Sequence, residues 1–382
     1  MKTYYLDNAA TTPVSKDVID IIFTTMNEVY GNPSSLHDIG QMAKNVLEQA
    51  RKTIAKKLNC NTTEIIFTSG ACESNSLAIQ GFMKCHNAVL ITSAIEHKSI
   101  LSLCKDNKYE TYFVDVDNEG LIDFTQFEDY CKNAYDKGKE ILVSIQGANS
   151  EIGTIQDLKR IAAIAHSYHG VVHSDITQLL PYSNIDVKKL GIDMMSASGQ
   201  KIHTPKGIGV LYVKKGIQLK PLIFGSQEFG LRGGTENIPY IAGIAKAFEN
   251  IKVSNTILQN LRDYMETKLL SDIPLCRING SKDMRILNNI NISFKGIEAE
   301  SLLLLLNIDG IYVSSGSACD SKNLSPSPTL SAIKVPTDYI NGTIRIALSE
   351  NLTLGDIDYI VSAIKKRVNQ LRNFSGKDVF SN

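Results

Sequence analysis

Between about residues 60 and 215, short apolar stretches alternate with segments of helical periodicity. The apolar stretches are rich in β-branched residues, and most are apolar at consecutive positions, which is typical of strands buried on both faces. We predict seven strands, at residues 65–68, 88–92, 109–114, 141–145, 171–174, 194–198 and 209–213. In residues 158–168, between two of them, Ile161, Ala162 and Ala165 recur at helical spacing. This alternation predicts an α/β fold with a mostly parallel seven-stranded sheet and flanking helices.

The regions before and after this alternating segment have different patterns of apolar residues. Upstream, residues 39–58 carry one apolar face of a long amphipathic helix. After about residue 250, an amphipathic helix precedes residues 288–294, whose alternation of polar and apolar side chains predicts a half-exposed strand. We therefore predict a large α/β domain over residues 15–250. Residues 1–14 and 251–382 are expected to form a smaller α+β domain.

Composition excludes several classes of protein. Forty Lys and Arg balance forty Asp and Glu, so a strongly basic nucleic-acid binder is not expected. The longest purely aliphatic run, residues 302–306, is far too short to span a membrane, and Asp7 interrupts the stretch where a signal peptide is apolar. The seven cysteines are odd in number and form no CxxC pair, which favours a reducing compartment over a disulfide framework. We expect a cytoplasmic protein without membrane contact.

The first predicted strand leads into a Ser/Gly-rich turn, Thr68-Ser69-Gly70-Ala71-Cys72-Glu73, and then into a helix. Such a turn offers unpaired N–H groups and the positive end of the helix dipole to an anion, most often phosphate. An ordinary helix cap explains the same residues equally well. The GxxxxGK[ST] pattern of a nucleotide-binding loop is absent from the sequence.

Polar and ionisable side chains that can bind ligands or catalyse reactions also follow the other predicted strands. In open α/β sheets, ligands bind beyond the carboxyl ends of the strands, so these residues are expected at one edge. They are His97, Asn149, Ser150, Asp175, Gln178, Ser198, Gln200 and Lys201. A phosphate cup, an imidazole, an acid and a lysine are the set that pyridoxal phosphate requires. A protein lysine forms a Schiff base with the cofactor, and a protein acid pairs with the pyridine nitrogen of the cofactor. An aromatic side chain stacks on the face of the pyridine ring.

Two further features concern metal binding and nucleophilic chemistry. His166, His169 and His173 have a spacing that a metal site could use, but the first two are predicted on a helix and the third in a strand, without a supporting cluster. We therefore predict no metal site.

Late in the chain, small residues surround Cys319 in the run SSGSACDS from Ser314. That composition predicts an exposed loop, where a thiol can act as a nucleophile.

Together these residues resemble the cysteine desulfurases, fold-type I pyridoxal phosphate enzymes of the NifS/IscS-like, class V aminotransferase group. The resemblance extends from Tyr5 to about Leu371. Its motifs are YLDNAATTP at 5–13, GNPSSLH at 31–37, SGACES at 69–74, EHKS at 96–99, SEIG at 150–153, SGQKIHTPKGIG at 198–209, RGGTEN at 232–237, SSGSAC at 314–319 and TIRIALS at 343–349. The order and spacing of so many motifs make the resemblance specific.

The resemblance implies how the cofactor is held. Lys201 forms the Schiff base and later moves a proton, Asp175 pairs with the pyridinium nitrogen, and His97 stacks on the ring as an acid or base. Gln178 binds the phenolic oxygen. The cofactor-contacting positions carried over are Ala71, Cys72, His97, Ser150, Asp175, Gln178, Ser198, Gln200, Lys201 and Thr235. Thr235 is expected to reach the phosphate bound by a second subunit, which implies a homodimer.

The resemblance also implies the reaction and its partners. Arg345, with Asn149, binds the carboxylate of L-cysteine, and Cys319 takes the substrate sulfur as a persulfide while alanine is released. The sulfur then passes to an acceptor or scaffold protein, in iron–sulfur cluster assembly or tRNA thiolation.

The sequence departs from the family pattern around the ring. Gln200 replaces a usual His, Cys72 a Thr, Ser150 an Asn and Phe229 an Arg. An amide cannot become a cation, and a thiol is a weaker donor than a hydroxyl. These departures leave two alternatives open: a selenocysteine lyase-like enzyme on the same fold, and a homologue with altered chemistry that serves as a scaffold or depends on a partner.

Overall fold

The structure, a computed structural model, describes residues 2–106, 109–252, 256–315 and 327–375. Its strands are β1 (Tyr4–Tyr5), β2 (Ile65–Thr68), β3 (Ala88–Ser93), β4 (Thr111–Val114), β5 (Glu140–Ser144), β6 (Val171–Asp175), β7 (Met194–Ser198), β8 (Gly209–Val213), β9 (Cys276–Asn279), β10 (Asn289–Phe294), β11 (Ile311–Tyr312) and β12 (Thr343–Ala347). Its α-helices are α1 (Lys16–Glu28), α2 (Asp38–Leu58), α3 (Ala71–Met83), α4 (Lys98–Asp106), α5 (Phe124–Asp136), α6 (Leu158–Ser167), α7 (Val187–Leu190), α8 (Ile238–Asn250), α9 (Thr256–Asp272), α10 (Ala299–Ile308), α11 (Pro328–Ala332), α12 (Thr337–Ile340) and α13 (Leu354–Ser375).

A seven-stranded sheet forms the centre of the fold, in the order β2-β8-β7-β6-β5-β3-β4. Strands β4, β3, β5, β6 and β7 pair in parallel, and β8 runs antiparallel to both of its neighbours. The predicted α/β class, with a mostly parallel seven-stranded sheet, is confirmed. Each predicted strand is present; three match at both ends, and the ends of the others differ by one or two residues. The prediction succeeds because the inner strands are buried on both faces and read as continuous apolar runs.

A second, smaller group of strands lies outside this sheet. β12, β10 and β9 form an antiparallel sheet, and β1 pairs in parallel with β11. A separate hydrophobic cluster belongs to this group, drawn from β1, α9, β10, α10 and α13. The division into residues 15–250 and the remainder stays a prediction. The two clusters support it, although Leu330, Ile333 and Val335 pack into the cluster of the large sheet.

The expectation of a half-exposed strand near residues 288–294 is wrong. Every residue of β10 is buried. The polar side of the strand packs against the turn at residue 151, where Asn289 and Asn291 each donate to the carbonyl oxygen of Glu151 at 3.2 Å. The alternation of polar and apolar residues therefore identifies the strand correctly, but the polar face of that strand packs against protein instead of water.

A buried ion pair fixes the loop before α8 against the first strand of the large sheet. Arg51 Nη2 lies 2.8 Å from Glu228 Oε1, and both side chains are almost fully buried. Glu228 Oε2 also accepts the backbone N–H of Phe67, at 2.7 Å. Because neither charged group is exposed to water, the loss of one partner would leave the other charge buried without compensation and would destabilise the fold.

Arg51→Ala should therefore lower the free energy of unfolding by about 3–5 kcal/mol, since it leaves the Glu228 carboxylate buried without its cation. Urea unfolding followed by circular dichroism measures the change. Lys246→Ala is the matched control, because it removes an exposed pair with Glu249 (38% and 50% exposed) and should cost less than about 1 kcal/mol. Equal losses in the two variants would contradict the account.

Candidate active site

The candidate site lies at the carboxyl edge of the parallel strands. His97 follows β3, Asn149 follows β5, Asp175 ends β6, and Lys201 follows β7 within a single 3-10 turn over Gly199–Lys201. Parallel strands in register end together, so the topology brings these four residues to one edge. The predicted placement of these side chains at one edge is confirmed by the strand order.

A candidate anion cradle, made up of Gly70, Gly209, Ser198 and the first turn of α3, lies beside this edge. Gly70 is the N-cap residue of α3 and has a φ of 153°, a conformation that favours glycine. No side-chain hydrogen bond caps this end of the helix. Gly209, at the start of β8, packs so closely that a Cβ there would lie 2.5 Å from Gly70 Cα. Ser198 Oγ lies 3.9 Å from the position that a Cβ on Gly70 would take. The first turn of α3, with Ala71 and Cys72, thus lies next to Ser198 at the end of β7.

Asn75 connects three parts of the site. Its Nδ2 donates to Asp175 Oδ2 at 2.8 Å and to Ser99 Oγ at 3.0 Å. A carboxylate oxygen only accepts, so the amide nitrogen must be the atom that faces Asp175. The other Asp175 oxygen accepts the N–H of Thr177 at 3.0 Å. Asn75 therefore ties the helix of the anion cradle to the acid of β6 and to the loop of His97.

The surroundings of His97 define the tautomer of its ring. The backbone N–H of Ser99 donates to His97 Nδ1 at 3.1 Å, and Ser99 Oγ lies 2.8 Å from the same nitrogen. A backbone N–H can only donate, so Nδ1 is an acceptor and the neutral ring carries its proton on Nε2. His97 thereby also caps the start of α4.

The amine of Lys201 lies against the N-terminal segment, residues 4–12. Lys201 Nζ donates to the carbonyl oxygen of Ala10, and Gln178 Nε2 donates to that of Ala9 at 2.9 Å. The backbone carbonyl of Gln200 accepts the N–H and the hydroxyl of Thr12, each at 3.0 Å. The N-terminal segment therefore runs past the residues that the sequence places around the ring of a cofactor.

Arg345, on β12, extends from the smaller group of strands to this edge. Its Nη1 donates to the carbonyl oxygen of Ser150 at 3.0 Å, and its Nη2 lies 2.7 Å from Asp7 Oδ1. Asn149 is held firmly: its Nδ2 donates to Ile95 O at 2.9 Å, and its Oδ1 accepts the N–H groups of Glu151 and Ile152. Its described contacts all go to backbone groups that shape the turn.

The described contacts at this edge do not involve two of the predicted site residues, Thr235 and Cys319. Thr235 is exposed, in the segment between residues 231 and 237 that precedes α8. Cys319 lies outside the described residues. The chain that leads to it is anchored, because the backbone of Ser314 pairs with that of Arg345 on β12.

Two buried titratable groups lie close to Asp175. Burial raises the pKa of Glu96 to about 8; hydrogen bonds from Ser93 and from the N–H of Gln146 oppose the rise, and the charge of Asp175 adds to it. Burial lowers the pKa of His173 to about 4, and the charge of Asp175 opposes this shift. The ring of His173 lies between Ser144 Oγ and Ser196 Oγ, each at 2.9 Å.

The three histidines of the possible metal pattern have separate surroundings. His166 Nε2 contacts Asp193 Oδ2 at 2.7 Å, and His173 is buried between its two hydroxyl groups. The expectation that His169 lies on the helix is wrong: α6 ends at Ser167, and His169 takes a φ of 59° in the turn into β6. Throughout the described ranges, no three His, Cys, Asp or Glu side chains are grouped to hold a metal ion. Nor does any helix in these ranges have the length and apolarity to cross a membrane.

Sequence reasoning missed Asn75. The motif SGACES, which carries part of the resemblance, ends at Ser74, one residue before Asn75. The i, i+4 spacing of a helix is the signal that identifies Asn75, because residue 75 lies one turn beyond Ala71, on the same side of α3.

Comparison with known proteins places this geometry in a family. The model of the family "Aminotransferase class-V" matches residues 4–360. A curated relative, the cysteine desulfurase IscS of Methanosarcina thermophila, is 42% identical over an alignment of 385 positions, which covers 98% of this chain and 94% of the relative. A solved structure titled NifS-like protein superposes with a TM-score of 0.89 at 32% identity, covering 97% of this chain and all of the other. Another, titled SspA in complex with cysteine, has a TM-score of 0.79 at 33% identity, covering 91% and 99%.

The fold and the residues at its carboxyl edge define a fold-type I pyridoxal phosphate enzyme. Within that class, the chain belongs to the class-V aminotransferase family and, inside it, to the cysteine desulfurases.

Members of this family depend on pyridoxal phosphate, and the described residues fit it. The N-terminus of α3 suits a phosphate, since no side chain caps it. The glycines keep this turn in place: a Cβ on Gly209 would lie 2.5 Å from Gly70 Cα, and the φ of Gly70 favours glycine. Asp175 is a buried carboxylate oriented by two donors, as a partner of the ring nitrogen must be. The Lys201 amine stands at the end of the neighbouring strand.

His173→Gln should change how stability depends on pH. The unfolded chain protonates this histidine below pH 6.5, whereas the folded protein keeps it neutral down to about pH 4. The wild type should thus lose stability relative to the variant as the pH falls through this window, by up to about 1.4 kcal/mol per pH unit.

Urea unfolding at a series of pH values measures the difference. His169→Asn is the control, because that residue is exposed and Asn tolerates its positive φ. Parallel curves for the wild type and His173→Gln would show that the histidine is not held neutral.

Proposed function

We propose that this protein is a pyridoxal phosphate-dependent L-cysteine desulfurase that takes the sulfur of L-cysteine onto Cys319 and passes it to an acceptor protein. The observation that carries the proposal is the convergence of Lys201, Asp175, His97 and Arg345 on one sheet edge, next to an anion cradle. The names of the relatives support this reading over a selenocysteine lyase-like enzyme or a scaffold.

The cofactor is proposed to lie across the carboxyl edge of the sheet. Its phosphate would be held by the first turn of α3, by Ser198 and Gln200, and by Thr235 of a second subunit. Asp175 would face the ring nitrogen, His97 the ring, and Gln178 the phenolic oxygen, with Ser150 nearby. The positions carried over are Ala71, Cys72, His97, Ser150, Asp175, Gln178, Ser198, Gln200, Lys201 and Thr235.

Two of the departures from the family pattern are compatible with this arrangement. The contact from position 150 to Arg345 uses the backbone carbonyl, so a serine there retains it. The described hydrogen bonds of Gln200 to Thr12 likewise use its backbone carbonyl. The side chains at these positions are thus free to differ without loss of those contacts.

The reaction needs a proton carrier, a carboxylate clamp and a nucleophile. When bound, the cofactor withdraws electrons from the substrate carbon that bears the amine. Lys201 would move the proton of that carbon, and Arg345, with Asn149, would bind the carboxylate, a task that suits a guanidinium. His97, with its proton on Nε2, would act as a donor above the ring.

Sulfur transfer balances without an external oxidant. The Cys319 thiolate attacks the substrate sulfur, an S–S bond forms and the C–S bond breaks. The electron pair of that bond remains on carbon, which takes up a proton, and alanine is released. Cys319 then carries the sulfur as a persulfide, ready for an acceptor thiol.

Persulfide mapping tests this assignment. The cofactor-loaded wild type, treated with about one equivalent of L-cysteine per chain and no added reductant, should gain one sulfur atom on the peptide that contains Cys319, because little free thiol is left to remove it. Cys319→Ala should bind the cofactor but gain no sulfur, and Lys201→Ala should lose both the visible absorbance of the lysine-bound cofactor and the persulfide. Tandem mass spectrometry and absorbance spectra provide the measurements. Sulfur on another cysteine of the Cys319→Ala variant, with alanine made at the wild-type rate, would refute the assignment.

We further propose a homodimer with shared sites. Large apolar side chains are exposed on α1, in the loop that follows it, and again in the segment before Thr235. They are Phe23, Met26, Tyr30, Leu36, Phe224 and Phe229. One cavity is lined by Pro33 and Ser34 and also by Phe229 and Glu236, so the two segments adjoin. Exposed apolar patches of this kind mark protein interfaces.

Phe224→Asp should weaken the dimer, because it introduces a charge where 85% of an apolar side chain is exposed. Light scattering should give twice the chain mass for the wild type and a shift toward the single-chain mass for the variant. Leu304→Asp, which makes the same kind of change at a 69% exposed position on α10, should leave the mass unchanged. A wild type of single-chain mass would refute both the dimer and the role of Thr235.

Other parts of the proposal concern context. We place the protein in the cytoplasm, supported by seven cysteines of which the six in the described residues form no disulfide. The acceptor is proposed to be an iron–sulfur scaffold or a tRNA-thiolation protein, as the resemblance to the NifS/IscS-like group implies. No direct contact with nucleic acid or a membrane is proposed.

A further inference from the structure

Asp7 makes an ion pair with the guanidinium of Arg345. Asp7 Oδ1 lies 2.7 Å from Arg345 Nη2, and the Arg345 side chain is only 4% exposed. On the other side of the guanidinium, Nη1 donates to the carbonyl oxygen of Ser150 at 3.0 Å. Two acceptors on two different nitrogens fix the plane of a rigid, flat group.

The backbone that carries Asp7 is itself held in place. Ala347, two residues beyond Arg345 on β12, donates its N–H to Leu6 O at 2.7 Å, and Asn8 Nδ2 donates to Ala347 O at 2.9 Å. Asp7 thus sits between two anchored neighbours, opposite the strand that carries Arg345. A carboxylate on such a backbone can orient its partner without much loss of its own freedom.

Charge adds to this geometry. A buried guanidinium is costly unless an opposite charge accompanies it. Asp7, with 21% of its side chain exposed, supplies that charge from the rim of the site. The pair therefore stabilises an extended Arg345 side chain at the position that faces the sheet edge.

We propose that Asp7 is the positioning residue that pre-orients Arg345 to bind the α-carboxylate of the substrate. This inference rests on the proposed function, because it assigns Arg345 to an amino acid carboxylate. Asp7 does not touch the reacting atoms; it removes the need to order the long Arg345 side chain when the substrate arrives.

The test compares ligands with and without a carboxylate. L-Alanine and L-alaninamide are titrated calorimetrically into the cofactor-loaded wild type, Asp7→Ala and Asp7→Asn, and KM and kcat for L-cysteine are measured alongside. Asp7→Ala should weaken L-alanine binding and raise KM by about 3- to 10-fold, the cost of ordering one long side chain. The value of kcat should stay within about twofold, since the reacting groups are unchanged.

Two further results are expected. Binding of L-alaninamide should be the same in all three proteins, because it has no carboxylate for Arg345. Asp7→Asn should recover most of the loss, because its amide oxygen still accepts from Nη2. Asp309→Ala is the matched control: it removes another Asp–Arg pair, with Arg367 at 2.6 Å, and should leave both ligands unaffected.

The outcomes separate the inference from the proposed function. Unchanged or tighter binding of L-alanine by Asp7→Ala would overturn the inference, as would an equal loss for L-alaninamide, which would indicate general damage. A wild type that releases no alanine from L-cysteine, yet binds L-alanine in an Asp7-dependent manner, would overturn the desulfurase reaction and support the positioning role. A wild type that binds neither ligand would overturn both.

Discussion

The active-site geometry depends on one constraint, the need of buried strands to satisfy their backbone hydrogen bonds in register. Because β3, β5, β6 and β7 pair in parallel, their carboxyl ends finish at one edge, with His97, Asn149, Asp175 and Lys201 just beyond. The reversed strand β8 completes the site, since its first residue, Gly209, packs on the glycine that opens α3. The anion cradle thus follows from sheet topology and the absence of two side chains.

The N-terminal segment connects this edge to the smaller group of strands. It pairs with β11 and β12 at one end and accepts hydrogen bonds from Lys201 and Gln178 at the other. Arg345 enters the site from β12 and is met there by Asp7. The candidate site therefore depends on residues 338 positions apart. Hydrogen bonds to the carbonyl oxygens of Ala9 and Ala10 connect the start of the chain to Gln178 and Lys201.

The sequence predicts the large sheet well because strands buried on both faces leave continuous apolar runs. It predicts the placement of Asp175 and Lys201 for the same reason, since residues after parallel strands must share an edge. It fails for β10, where alternation arose from polar side chains that bind the turn at Glu151. It also misses Asn75 and Asp7 as parts of the site, because their roles arise from partners 24 to 338 positions away, which no local pattern encodes. The role of Cys319 remains a prediction, since that residue lies outside the described ranges.

The most direct measurement of the central claim is the amount of alanine formed from L-cysteine by the cofactor-loaded wild type, with a thiol reductant present to remove the persulfide sulfur. Alanine and sulfide should form in equal amounts over many turnovers, because each C–S bond that breaks yields one of each. Pyruvate and ammonia instead of alanine, or no product from a protein that retains its cofactor, would contradict this claim.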